Sequence, residues 1–578
     1  LAGDALTEGE ANVALGYEAL SGDSHGRRTV AIGHGALKVQ DFDTETSTYN
    51  VAVGYNAGQA VTTAVFNTLV GGLAGDALTT GQENAAFGYL ALSGDTLGSH
   101  SVAVGSYALQ AQNFTTATDS FNTAVGYAAG TAVTTATENV LIGGLAGDAL
   151  TTGGLNVAVG HAALSSEDGH GANTAIGYLS LATQNAGATA YNTAVGYNSG
   201  TSVTTGIYNT LIGGAAGDAL TDADENVAIG FNTLTTDVLG SKSTAVGRGA
   251  LAIQNFTTAT DSHNTAVGYF AGVNNGAGIS NSFIGSQSGQ ASTGGNYNVA
   301  VGNLALATDK IGHNSTAIGY FALANQNNTT STNAYNTAVG SSAGGAITFG
   351  VQNTIVGALA GDAMTTGDSN TFIGYFSAGN GVVTGDTNTA VGISSGLAIT
   401  SGSNNLCLGK DAGRTGSPGG NLTTHSNNVV LGDENISAFY AQVALTVSSD
   451  ERDKTDFVDL DLGLDFVKAL EPVTYYWDKR SKYGDKDADD YDLDNLTPDG
   501  THKEDWMDVG FKAQSVQTLE EAAGYKIADK KNLTVSLTED GKQYGLKYEK
   551  FIPILVKAIQ DQDAIIQSLT ARIAALES

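Results

Sequence analysis

One cysteine, Cys407, stands in 578 residues. That excludes a disulfide framework within the chain and any site built from several thiolates. Only 4 prolines occur, so neither collagen nor a proline-rich disordered linker describes the chain, whatever its glycine content. Charged residues make up 14% against 41% hydrophobic, which is not the composition of a disordered polyelectrolyte. No apolar run reaches the roughly 18 residues of a membrane span and no signal-peptide pattern opens the chain, so no membrane insertion is expected. Basic residues are scarce: 25 Lys and Arg against 57 Asp and Glu leave a net charge of −32. Nucleic acid is therefore not an expected partner, because phosphate neutralisation needs a basic patch. Basic partners and divalent cations stay open.

The few basic residues are also unevenly placed. Residues 1–449 hold only Arg27, Arg28, Lys38, Lys242, Arg248, Lys310, Lys410 and Arg414, and the rest of the 25 follow. Trp477 and Trp506 also lie in that C-terminal stretch, with Pro472, Pro498 and Pro553. A repetitive, charge-poor body is joined to an ordinary globular tail.

What the body has in excess is glycine, 77 in the chain, arranged in a repeat of the form Asn-x-Ala-(Val/Ile)-Gly. Asn50 to Gly54 and Asn122 to Gly126 are two copies, and 24 motif glycines run from Gly16 to Gly432. Most steps are 17 residues, with 21 at Gly33 to Gly54, Gly105 to Gly126, Gly247 to Gly268 and Gly319 to Gly340, and 19 at Gly177 to Gly196. The longer step comes every fourth interval, which implies a duplicated four-coil block of about 72 residues with one enlarged loop, such as Gln254 to Thr258.

A 17-residue unit with one short alternating strand cannot bury its own apolar face, whereas stacked units can. Alternation puts Val53 or Ile176 on one face and the intervening Ala on the other, and the glycine allows a corner or a close backbone approach. The expected fold is mainly β: an elongated β-solenoid or β-roll over residues 1–432, about 110 Å long at ~4.8 Å per coil. Asn50, Asn67 and Asn84 share one coil position and are expected to hydrogen-bond along the axis. The pattern resembles the head repeats of trimeric bacterial adhesins and the shafts of phage tail fibres, in which three chains pack around one axis. Leu1 to Leu6 repeats Leu73 to Leu78, which places Leu1 inside a coil, so an N-terminal anchor that binds other tail proteins is expected to precede it.

Several features of the body have two readings. Tyr17, Tyr55, Tyr89, Tyr127, Tyr178, Tyr197, Tyr269 and Tyr320 follow motif glycines, as a packing ladder or as a row that stacks on sugars. Loops that differ among copies, such as Asp41 to Thr48 and Phe114 to Ser120, are the better candidates for recognition. Cys407 reads as a buried small hydrophobe rather than a nucleophile. The nine histidines show no ligand spacing, and Gly33-His34-Gly35 is no phosphate loop, so no metal and no cofactor are expected.

After Gly432 the repeat stops and a neck, residues 433–448, leads to Ser448-Ser449-Asp450-Glu451-Arg452-Asp453-Lys454. Ser449-Asp450 with Lys454, then Leu464 to Trp477, then Gly510-Phe511-Lys512-Ala513-Gln514, then Leu546-Lys547-Tyr548 and Phe551 to Ile559, resemble the intramolecular chaperone domain of endosialidase-type tail spikes, the peptidase S74 family. The resemblance spans residues 449–578. It implies a small α+β domain that trimerises, guides the folding and register of an upstream fibre, and releases itself by autoproteolysis through a Ser/Lys dyad. Carried onto this sequence, Ser449 is the nucleophile and Lys454 the base, with cleavage expected at the Ser449–Asp450 bond. Attack by a serine on its own carbonyl would close a four-membered ring, so attack across subunits or on a neighbouring bond stays open, as does Ser448 as the nucleophile. The other reading of Ser449 and Lys454 is a polar junction without chemistry.

Ile566, Leu569, Ile573 and Leu576 are spaced 3, 4 and 3 within a helix expected over 551–578. This is either a coiled-coil seam joining three chains or one amphipathic helix packed on its own domain. Asp485 to Asp494 is an acidic run, either a solvated insertion or a calcium loop, although it lacks the glycine and terminal glutamate of an EF-hand.

The combined reading is a homotrimeric phage tail fibre in the virion that attaches to a host cell-surface receptor, a glycan among the candidates. Near-identical coils could pair out of step by whole repeats, and a C-terminal trimerising clamp prevents that slippage. Its rivals are a glycan-depolymerising spike, which would need paired carboxylates in a groove, and a cellular surface adhesin with the same repeat.

Overall fold

The computed structural model, which describes residues 1–486, 488 and 490–578, winds the repeat into a parallel β-solenoid of about 23 turns. Two compact units divide it, Leu1–Tyr335 and Asn336–Ser578. The first is solenoid throughout; the second holds the last coils and the C-terminal domain. Asp487 and Asp489 of the acidic run lie outside the described residues.

Each coil contributes one three-residue strand at the motif, for example Val51–Val53 and Thr68–Val70, paired in parallel with the same register from coil to coil within each unit. The middle residue faces inward and is buried, as Ala52, Leu69 and Ala124 are, while the flanking Val, Ile and Thr face outward. The core residue is thus the middle one, Ala in most coils and Leu, Ile, Phe or Cys in others, and the flanking, mostly β-branched residues form an outer surface. Inner volume is balanced between neighbouring coils: the large Phe283 fills space that side chains on Gly272 and Gly289 would otherwise occupy.

Two columns explain why the motif begins with Asn and ends with Gly. Asn67 donates its backbone N–H to Asn50 Oδ1 at 2.9 Å and its Nδ2 to the Gly81 carbonyl at 2.9 Å; Asn84 repeats the first bond on Asn67. The expected axial ladder therefore runs from side chain to backbone, and it satisfies amides that water cannot reach. Gly54 has φ +146° and Gly71 φ +141°, and a Cβ on either would strike the next motif glycine's carbonyl. Glycine is required there by the stacking of coils as much as by the corner itself.

The enlarged loops are rooted more firmly than a variable loop on a scaffold would be. In one block the buried Asp237 accepts from Gln254 Nε2 at 2.6 Å, from Gly240 N at 3.1 Å and from Phe256 N at 2.9 Å. Gln254 also donates to Ser243 Oγ at 2.8 Å and accepts from Asn264 Nδ2 at 2.9 Å. Asp23 with Gln40, Asp95 with Gln112 and Asp309 with Gln326 repeat the arrangement. The returning loop segment Thr260–Asp261 pairs in parallel with Gly240–Ser241, which fixes the base of the loop; its tip, residues 257–259, is exposed, as are Asn255 and Asp261.

Among the described residues the C-terminal domain contains three α-helices, α1 (Leu464–Ala469), α2 (Ala513–Ala522) and α3 (Phe551–Glu577). Two antiparallel pairs join them, Val473–Tyr475 with Asp508–Gly510 and Val535–Leu537 with Tyr544–Leu546. Its core gathers Leu462, Phe466, Val516, Val535, Phe551 and Ile554. Only the first turns of α3 enter that core, and residues 562–577 are exposed on every side. The helix is therefore not packed along its length on its own domain. Among the described residues no helix is long and apolar enough to cross a membrane.

Candidate functional site

The junction between neck and domain is exposed from residue 435 to 449. Just beyond it a 3-10 turn, Glu451–Asp453, reverses the chain. Asp450 caps the turn by accepting from Arg452 N at 2.9 Å, and Arg452 grips the same carboxylate through Nε at 3.0 Å and a terminal nitrogen at 2.6 Å. The guanidinium holds the Asp450 carboxyl below its ordinary range. The turn carries Lys454 back onto Ser449: Nζ lies 2.5 Å from Ser449 Oγ and 3.2 Å from the Ser449 carbonyl oxygen.

The lysine thus touches both the hydroxyl that would attack and the carbonyl of the bond expected to break. An ammonium there can donate to a carbonyl oxygen; a neutral amine can accept the hydroxyl proton. Deprotonation is favoured by removal from water, and within one chain this site is open to solvent. The Asp450–Arg452 pair, which forms the turn, carries no motif signal of its own; an Asp two residues before an Arg beside a serine is its only trace in the sequence.

Other candidate groups take different places. Cys407 is buried in its strand, and burial pushes its thiol up to about 11, which suits a packed hydrophobe and not a nucleophile. Some of the motif tyrosines stack: His34 lies 5.2 Å from Tyr17 and 5.3 Å from Tyr55 between ring centroids, and Tyr178 lies 5.4 Å from Tyr197 at 8°, whereas Tyr89 and Tyr127 meet Tyr107 edge to face at 86° and Tyr269 and Tyr320 lie tilted against Phe270 and Phe321. Inside the stacked runs the ring faces cover one another, which is the packing-ladder geometry. Of the histidines, His170 comes together with Glu167 and Asp168, their ligand-type atoms within 4.8 Å of one another. Glu167 is already engaged by His170 N at 3.0 Å, in the block whose loop is shortened to a 19-residue step. The half-buried carboxyls of Asp76, Asp148 and Asp362, in the Gly-Asp-Ala-Leu and Gly-Asp-Ala-Met corners, are raised by burial.

Along α3 the structure adds residues that the four-residue seam left out. Ile552, Leu555 and Ile559 are also exposed, and with Gln562 they extend the 3, 4 spacing back from Ile566 to the start of the helix. Reading the heptad backwards through the polar Gln562 would have found them.

Residues 449–525 match the family model described as chaperone of endosialidase, peptidase S74. No curated protein is significantly similar to the chain. The chain therefore carries a C-terminal chaperone-of-endosialidase domain behind a long parallel β-solenoid, a combination consistent with a tail fibre or tail spike that ends in its own chaperone.

Proposed function

We propose that this chain is the shaft of a homotrimeric phage tail fibre that attaches to a host surface, and that its C-terminal domain aligns the three chains and then separates by Ser449/Lys454 self-cleavage. The observation that carries the trimer is an outward column. From Leu15, Ile32 and Val53 to Leu408 and Leu431, the third strand position of every coil is Val, Ile, Leu or, once, Phe87, and none of these side chains is buried. Uniform aliphatic residues on an outer face are what a neighbouring copy covers. The seam of α3 supports the same partner, since a free helix gains nothing from Ile559 or Ile573 in water. A chaperone-of-endosialidase domain itself implies self-association in trimers.

In this reading the three necks converge and remove Lys454 from water, so that Nζ becomes neutral and takes the Ser449 hydroxyl proton. Oγ adds to a carbonyl carbon, on another subunit or on the adjacent bond, the proton passes to the departing amine, and water then hydrolyses the ester. Host attachment falls to the exposed loop tips, such as residues 257–259, held by a rigid scaffold. Native and denaturing mass spectrometry of the full chain test the proposal together. A trimer whose chains have lost residues 450–578 is expected; an uncut trimer removes the dyad's role, and a monomer removes the fibre.

A further inference from the structure

The last coil of the solenoid and the C-terminal domain touch through polar groups that lie on opposite sides of the expected cleavage point. Glu434, just after the last motif glycine, is buried and takes a hydrogen bond from Lys486 Nζ. Its backbone carbonyl accepts from Lys479 Nζ at 2.8 Å. Around it, Arg414 donates to the Lys486 carbonyl at 3.3 Å, Asn421 N donates to Asp540 Oδ2 at 3.2 Å, and His425 Nδ1 lies 2.5 Å from Glu539 Oε2. The covalent connection between the two sides is the exposed neck, residues 435–449.

We propose that these contacts form a clamp that keeps the chaperone domain seated on the terminal coil after the connecting chain is cut, and that ionic strength sets how readily the domain re-seats each time the contact opens. This rests on the reading that the chain is severed between shaft and domain. The chemistry of the contact argues for a releasable hold. An ion pair taken out of water recovers in mutual attraction about what it loses in hydration, so it positions more than it binds. The side chains of Glu434 and Lys486 are 6% and 15% exposed, and Glu434 Oε2 has no hydrogen-bond partner. When the domain leaves, each charge returns to water rather than being stranded in a core. Salt screens such charges on approach, with a Debye length near 3 Å at about 1 M. Scission and departure are thereby two separate steps, the second governed by the medium.

The test uses the full chain carrying Ser449→Ala, with a site for a sequence-specific protease inserted between Ala441 and Gln442, so that only the added protease cuts it. Size-exclusion chromatography of the cut protein is expected to show both pieces together in about 0.05 M NaCl and apart in about 1 M. Glu434→Gln, and separately Lys486→Met on the other side of the contact, are expected to lower the salt concentration for half release by about twofold or more. Two variants on opposite sides guard against a folding fault in either one. Pieces that separate in low salt, pieces that stay together in high salt, or variants that shift nothing overturn the clamp. Failure of the natural chain to cut itself counts against the Ser449 reading and leaves this assay intact.

Discussion

Asn50 Oδ1 and the backbone N–H of Asn67 are 2.9 Å apart, both buried, and the same bond recurs from Asn67 to Asn84. Each asparagine is at once an acceptor for the coil after it and a donor across its own coil. Asn67→Ala leaves Asn84 N and the Gly81 carbonyl without partners, and the expected cost is about 2–6 kcal/mol, at roughly 1–3 kcal/mol for each stranded group. Urea unfolding of the variant checks it, and a loss under about 0.5 kcal/mol would show that water replaces the ladder.

Adjacent glycines should behave differently. A Cβ on Gly71, at φ +141°, meets the Gly88 carbonyl, whereas a Cβ on Gly72 finds its nearest neighbour, Tyr89, at 3.6 Å. Gly71→Ala is expected to disrupt coil stacking and to lower the melting temperature sharply. Gly72→Ala is expected to be close to neutral.

Acidity should stabilise the solenoid rather than weaken it. Burial, the largest influence, raises the carboxyls of Asp95 and Asp237 above their ordinary 3.8, against hydrogen bonds that lower them. A group whose pKa is higher folded than unfolded adds stability that is complete below the unfolded value and lost as pH rises through the folded one. The exposed pairs Lys38 with Glu18 and Lys242 with Asp261 act in the opposite sense, but screened surface pairs contribute little. The melting temperature is expected to rise from pH 8 toward pH 4, and to rise less in Asp237→Asn. Equal slopes in the two proteins would show that general charge repulsion, not this carboxyl, drives the trend.

Gln562 is the polar position in an otherwise apolar seam on α3. Polar residues at such positions fix register and chain number at a cost in stability. Gln562→Leu is expected to raise the melting temperature and to give mixed oligomers in sedimentation velocity; a more stable but still uniform trimer would assign register to the rest of the domain.

Ser449→Ala is expected to leave the trimer intact and to abolish loss of residues 450–578, as read by intact mass. Release that continues unchanged assigns the chemistry elsewhere, with Ser448 next in line.

Much of this molecule could be read along the chain. The 17-residue period, the strand at Asn-x-Ala-Val-Gly and the alternation of Ala52 with Val51 and Val53 follow from residues near one another in sequence, where local geometry decides, whereas Ser449 and Lys454 are singled out by the family resemblance and the turn at Glu451–Asp453 brings them into contact. The places that stayed hidden depend on the cross-section of the coil, which no single repeat contains. Whether Ala or Val faces inward, why Gly54 must lie against Gly71, and how Asp237 reaches Gln254 are settled only when one coil rests on the next. The same holds for α3, whose spacing fits a seam or a packed helix equally well, and for Glu434 and Lys486, which are 52 residues apart and meet only because the domain folds back against the last coil. Periodicity is a property of the chain, but burial and contact across coils are properties of the stack.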